Sequence, residues 1–170
     1  RKFMAQILED ILNDIDKVTL DAKILAFKEH MKTLPLMEVM FPIGVKNVKK
    51  YTRKGDAPFA IRMKGTPVHV KSALNYNDML RHHKIKTIRG IINGEKIKWT
   101  YLKVNNMGLE TMALKGYDDP MPIEKFVEQH INHDKVFKSA FANKLNDFYG
   151  AMKWGKVPEN NNLGKFFAFD

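Results

Sequence analysis

From Phe3 onward the apolar residues Phe3, Met4, Ile7, Leu8, Ile11, Leu12, Ile15 and Val18 recur at steps of three and four, with Glu9, Asp10, Asn13, Asp14 and Asp16 between them. That spacing predicts an amphipathic helix, because it gathers the apolar set on one side of a 3.6-residue turn. Leu20 to Met31 repeats the pattern through Ile24, Leu25, Phe27 and Met31, and Pro35 opposes its continuation. The two stretches predict a helical hairpin or one broken helix.

The middle of the chain changes character. Phe41-Pro42-Ile43-Gly44 and Gly55-Asp56-Ala57-Pro58 supply turn residues and predict loops. Thr66 to Leu74 is too short for its period to decide between a strand and a buried helix. Residues 96 to 102 alternate basic or polar with apolar after Asn93-Gly94, which predicts one arm of a hairpin, with Ile88 to Ile92 as the candidate partner and residues 109 to 114 as a further strand. Beyond Pro120 and Pro122 the helical period returns in Ile123, Phe126, Val127, His130 and Ile131. Asp134 then suits the cap of a helix carrying Val136, Phe137, Ala140, Phe141, Leu145, Phe148 and Tyr149. Glu159 to Asn162 form a polar linker ahead of a last apolar cluster.

Composition narrows the classes. A chain of 170 residues with 44% hydrophobic and 28% charged positions fits a single folded domain with a real core. Cysteine is absent, which removes disulfides, thiolate metal sites and Cys nucleophiles together. No apolar run approaches the ~20 residues that span a bilayer and no signal-peptide pattern opens the chain, so the reading is soluble and intracellular. Arg1, running straight into a helical pattern, reads as the cut end of a longer polypeptide or a designed boundary.

Charge changes the picture most. Residues 44 to 103 hold fifteen Lys and Arg against Asp56, Asp78 and Glu95, a net +12, while the segments before and after each carry −1. A block of one sign creates a field that attracts a polyanion, and nucleic acid is the candidate. Lys46, Lys49, Lys50, Arg53, Lys54, Arg62, Lys64, Lys71, Arg81, Lys84, Lys86 and Arg89 are interleaved with Tyr51 and Tyr76, whose hydroxyls also reach phosphate oxygens. With no recognition-helix, zinc-finger or stacking motif, contacts to the backbone without base readout are expected. The bland alternative is a solvated basic surface.

Other features carry less. Leu163, Phe166, Phe167 and Phe169 at the end of a polar linker suit docking into an apolar pocket of a partner, or folding back on the domain. His130 and His133, three apart, lack the further donors a four-ligand metal site needs, and His82-His83 read as surface residues. Asp118-Asp119 precede Pro120 and read as a turn rather than a Mg²⁺ pair. Ser72 and Ser139 have no nucleophile-elbow context, and there is no phosphate-cradling glycine loop.

The order of landmarks carries a resemblance. Glu38-Val-Met-Phe-Pro-Ile-Gly-Val-Lys-Asn-Val-Lys-Lys-Tyr51 resembles the stretch that leads into the thumb of family-B DNA polymerases from T-even-type tailed phages. Gly65-Thr-Pro-Val-His-Val-Lys-Ser-Ala-Leu-Asn-Tyr-Asn77 is similar to that family's Pro-x-His-x-basic segment ending in Tyr-Asn, and Gly94-Glu-Lys-Ile-Lys-Trp-Thr-Tyr-Leu-Lys103 to the strand after it. His133-Asp-Lys-Val-Phe-Lys-Ser-Ala-Phe-Ala-Asn-Lys-Leu145 and Trp154 look like its closing helices, and Leu163-x-x-Phe166-Phe167 like the peptide that holds the sliding clamp. Ile43 departs by standing where the family has Arg between Pro and Gly, and Asp170 by following the terminal Phe169.

The resemblance implies an α+β fold: a helical thumb subdomain over residues 1–158 with a small antiparallel sheet, and a flexible clamp-binding tail over 159–170. It implies that Pro67 to Asn77 is mostly helical and faces the duplex, with Lys50 and Tyr51 on the primer-template backbone and His69, Lys71 and Tyr76 near it. The candidate DNA contacts are thus Lys46, Lys49, Lys50, Tyr51, Arg53, Lys54, Arg62, Lys64, His69, Lys71, Tyr76 and Arg81; the candidate clamp contacts are Leu163, Phe166, Phe167 and Phe169. The family's palm triplet Asp-Thr-Asp does not occur, so no catalytic residue or cofactor is expected in this chain, Mg²⁺ belonging to the palm of the full enzyme. The implied activity is DNA-directed DNA polymerisation by an assembly, of which this chain is an excised fragment or a split subunit. Implied partners are double-stranded primer-template DNA, the sliding clamp and the remainder of the polymerase (palm, fingers, exonuclease), with no membrane, in the cytoplasm of an infected bacterium. A stand-alone basic nucleic-acid-binding protein without enzymatic activity is the alternative, and an adaptor for an acidic protein a third reading.

Overall fold

Two turn devices break the N-terminal helical pattern earlier than its apolar period suggests. In the computed structural model, which describes residues 2–52 and 57–159, helix α1 (Lys2–Leu12) stops before Asp14, whose φ of 57° is left-handed. Asp16 then caps α2 (Lys17–Met31), its side chain accepting from the Thr19 N–H at 3.0 Å. Leu12 and Val18, on either side of the break, are exposed in consequence.

The chain divides into two compact units: the residues up to Leu34 with those from His133 onward, and Pro35–Asn132. The first unit is helical. Besides α1 and α2 it holds α7 (His133–Phe137), a π-helical turn over Lys138–Ala142, and α8 (Asn143–Ala151). Phe3 stacks on Phe27 with centroids 3.6 Å apart, and Phe141 meets both rings edge-on. The Tyr149 hydroxyl donates to Asp21 at 2.6 Å; burial, then that carboxylate, pushes the phenol far above its usual range and keeps it neutral. Asp134 lies inside the first turn of α7, where it pairs with the buried Lys28 at 2.8 Å.

The second unit is α+β. It runs α3 (Leu36–Val39), β1 (Phe41–Gly44), α4 (Val48–Tyr51), α5 (Val68–His82), β2 (Lys96–Tyr101), β3 (Thr111–Leu114) and α6 (Met121–His130). The sheet is antiparallel in the order β1-β2-β3, with Phe41 opposite Trp99, Ile43 opposite Ile97, and Trp99 opposite Ala113. The partners of β2 are therefore 41–44 and 111–114, and not Ile88 to Ile92. Pro42 is accommodated because β1 is an edge strand.

The undecided segment is helical. Pro67 sits at the N-cap of α5, and Val70, Ala73, Leu74, Met79 and Leu80 follow at helical spacing. All of these are buried, because α5 packs along β3, whose four residues are buried as well. Truncating a side chain such as Leu74 to Ala in this layer would cost about 2–5 kcal/mol. Ile123 and Val127 of α6 close the same core, and Leu102 bridges to Ile131 beyond the end of that helix.

Candidate nucleic-acid interface

One end of the sheet collects lysines because three backbone contacts fold the chain back on itself there. After β1, the Val45 N–H donates to the Glu95 carbonyl at 2.9 Å and the Val45 carbonyl accepts from the Gly94 N–H at 2.8 Å. Asn47 turns the chain with a left-handed φ of 63°, and the Val48 N–H then donates to Asn93 Oδ1 at 2.6 Å. Val48 is buried, so the single turn of α4 is pinned to the 93–95 turn and presents Lys49 and Lys50 outward. Lys46 is exposed just before it, and Lys96, opposite Gly44 in the ladder, is exposed beside it. Lys50 Nζ lies 5.5 Å from the centroid of the half-buried Tyr51 ring. Among the described residues no acid pairs with Lys46, Lys49, Lys50 or Lys96, so their charge is directed at solvent.

The neighbouring basic residues each have a partner in the fold. Arg89 pairs with Glu95 at 2.7 Å, and the Ile92 N–H donates to the other oxygen of Glu95 at 2.9 Å. Burial raises the Glu95 carboxyl, but these two donors outweigh it and hold the group below its ordinary value. Lys115 Nζ donates to the Arg89 carbonyl, and Lys98 Nζ to that of Met37.

Arg62 and Arg81 are distinguished by a buried acid. Asp78 is nearly solvent-free and both arginines pair with it, while it also accepts from the Phe59 N–H at 2.7 Å. Arg62 reaches Asn75 Oδ1 as well, at 3.0 Å, and its side chain is 13% exposed. The structure thus places Arg62 as a brace holding the 57–62 segment to α5, whereas Arg81 keeps half its surface in water. Lys71 pairs with Glu110 at 2.6 Å. Lys64 is exposed on a turn with Gly65, and His69 is half-buried in the first turn of α5.

Tyr76 departs from its expected place near a phosphate. It is fully buried in the core, where burial and the Asp119 carboxylate push its phenol far above the usual range. Arg53, Lys54, Leu163, Phe166, Phe167 and Phe169 lie outside the described residues.

Of the expected contacts, then, the structure brings Lys46, Lys49, Lys50 and Tyr51 together and leaves Lys64, His69, Lys71 and Arg81 elsewhere on the second unit. Lys96, absent from the expected set, joins the first group through strand register. Its signal in the sequence was hidden because 41–44 reads as a turn.

Among the described residues no group of His, Cys, Asp and Glu is arranged to hold a metal ion, and no helix is long and apolar enough to cross a membrane. His130 Nδ1–H donates to the Phe126 carbonyl at 2.8 Å, closing its own helix. No family model matches the chain, and no curated protein matches it.

Proposed function

We propose that this chain is the thumb and C-terminal region of a phage replicative DNA polymerase, and that it grips the backbone of the primer-template duplex. The observation that carries the reading is the cluster of Lys46, Lys49, Lys50 and Lys96 at one sheet end, all exposed and without an acidic partner among the described residues. The resemblance of the ordered landmarks supports it independently.

In this reading the mechanism is electrostatic. Each ammonium that neutralises a phosphate releases condensed counterions, and the contact is indifferent to base identity. The backbone contacts at Val45 and Val48 matter because they fix the main chain that carries Lys46, Lys49 and Lys50, so little backbone order remains to be lost on binding. The chain makes no bond itself; phosphoryl transfer and its Mg²⁺ belong to a palm on another segment, and the terminal Leu163, Phe166, Phe167 and Phe169 tether the assembly to a sliding clamp in the bacterial cytoplasm.

Co-purification tests the reading against that of a free-standing architectural protein. Tagged chain expressed with the neighbouring replication genes is expected to bring down a longer polypeptide with primer-extension activity and to lengthen its products. A chain that binds duplex yet recovers no such polypeptide and leaves product length unchanged contradicts it.

A further inference from the structure

A cleft of about 440 Å³ opens between Thr87, Ile88 and Arg89 on one side and Lys115, Tyr117 and Asp118 on the other. Tyr117 is 57% exposed. The backbone that carries it is fixed by a tight turn: Asp119 accepts from the Lys115 N–H at 2.9 Å and from the Gly116 N–H at 2.6 Å. Gly116 suits that turn, since its φ of +85° is one that residues with a Cβ rarely adopt. Lys115 Nζ, donating to the Arg89 carbonyl, stands 5.9 Å from the Tyr117 ring centroid.

The cleft therefore joins a presented aromatic face to two cations. Arg89 uses one nitrogen on Glu95 and has further N–H donors on a side chain that is mostly exposed. Lys86 is exposed three residues before it. The one acid in the lining, Asp118, lies on the Tyr117 side. An aromatic ring beside a guanidinium matches an unpaired nucleotide: the base stacks on the ring and the phosphate binds the arginine. A paired base within a duplex offers no free face to such a ring.

We propose that this cleft binds an unpaired nucleotide, with Tyr117 as the stacking platform and Arg89 and Lys115 as the phosphate contacts. The cleft is continuous with the lysine cluster: Lys115 contacts Arg89, Arg89 contacts Glu95, and the 93–95 turn holds α4. The proposal rests on the nucleic-acid reading above and adds a distinct ligand state to it.

Fluorescence anisotropy with a blunt duplex, and with the same duplex extended by a short oligothymidine strand at either end, tests it. One extension is expected to bind more tightly than the blunt duplex. Tyr117→Ala should remove about 5- to 100-fold of affinity for the extended duplex, Tyr117→Trp should retain it, and blunt-duplex binding should be unchanged by both. Equal affinity for blunt and extended duplexes, or an extended-duplex affinity indifferent to Tyr117→Ala, overturns the cleft and leaves the duplex grip standing. Failure of the unaltered chain to bind either duplex overturns both.

Discussion

Asn77 and Ile91 clasp each other: the Ile91 N–H donates to Asn77 Oδ1 at 2.6 Å, and Asn77 Nδ2 donates back to the Ile91 carbonyl at 2.9 Å. One amide side chain on α5 thereby satisfies both backbone groups of a buried residue in a segment without regular structure. The segment so pinned carries Arg89 and leads to the 93–95 turn, so the clasp sets the position of the cationic end of the sheet.

Asn77→Ala leaves the buried backbone groups of Ile91 unpaired, a loss of about 1–3 kcal/mol for each group. Gly90→Ala attacks the same clasp from the other side, because the added Cβ would sit 2.7 Å from Asn77 Oδ1. Both variants are expected to lower the urea midpoint with little change in its slope. A midpoint equal to that of the unaltered chain would remove the clasp from the account.

Asp78 is the acid on which Arg62 and Arg81 converge, and removing it strands the largely buried Arg62 guanidinium. Asp78→Ala is expected to destabilise the second unit by about 3–5 kcal/mol, read as loss of protease resistance or of thermal midpoint. Arg81→Gln, at the half-exposed partner, should cost far less, about 1 kcal/mol. Equal losses from the two variants would show that burial does not set the strength of this pair.

The internal ion pairs were the part of the site least legible in the sequence. A run of basic residues with few acids reads as uniform surface, since nothing in the order of residues says that Asp78 is buried or that Arg62, sixteen positions earlier, folds onto it. Tyr76 illustrates the same limit: between basic residues it resembles a phosphate contact, yet α5 turns it into the core with Leu80 and Met79. The helices on either side of the basic region were legible because their apolar period survives in one dimension, whereas α5 was not, its apolar stretch being too short for the period to decide. The sheet was half legible. The alternation of 96–102 marked β2, but its partner 41–44 contains Pro42 and Gly44, residues that speak for a turn and are tolerated here only at an edge.

Glu95 gives the protein a defined acid limb. Its carboxyl is held below its ordinary value of 4.5 in the fold, burial being outweighed by the Ile92 N–H and Arg89. A carboxyl lowered on folding contributes stability that is complete above the ordinary value and is lost as pH falls through 4.5 toward the folded value. Urea midpoints measured from neutral pH downward should therefore fall in that acid window, and Glu95→Gln should flatten part of the fall. A variant whose midpoint tracks the unaltered chain at every pH would contradict this role.

Lysines at the sheet end should differ from lysines elsewhere. Replacing Lys49 and Lys50 by Gln is expected to weaken duplex binding by about tenfold or more, while replacing the exposed Lys144 and Lys156 of the helical unit changes it less than threefold. Neither pair is buried, so folding stability should stay within about 1 kcal/mol of that of the unaltered chain and exclude unfolding as the cause. Equal weakening by the two pairs would refute localisation.

The most direct measurement is duplex affinity across a salt series, with unrelated duplex sequences compared at each concentration. If Lys46, Lys49, Lys50 and Lys96 each neutralise a phosphate, the logarithm of affinity should fall against the logarithm of salt with a slope of magnitude about 3–4, nearly equal for all sequences, and Lys49→Gln with Lys50→Gln should reduce that slope by about 2. A flat salt response, or a slope untouched by those two replacements, would contradict the claim that this cationic edge grips the phosphate backbone.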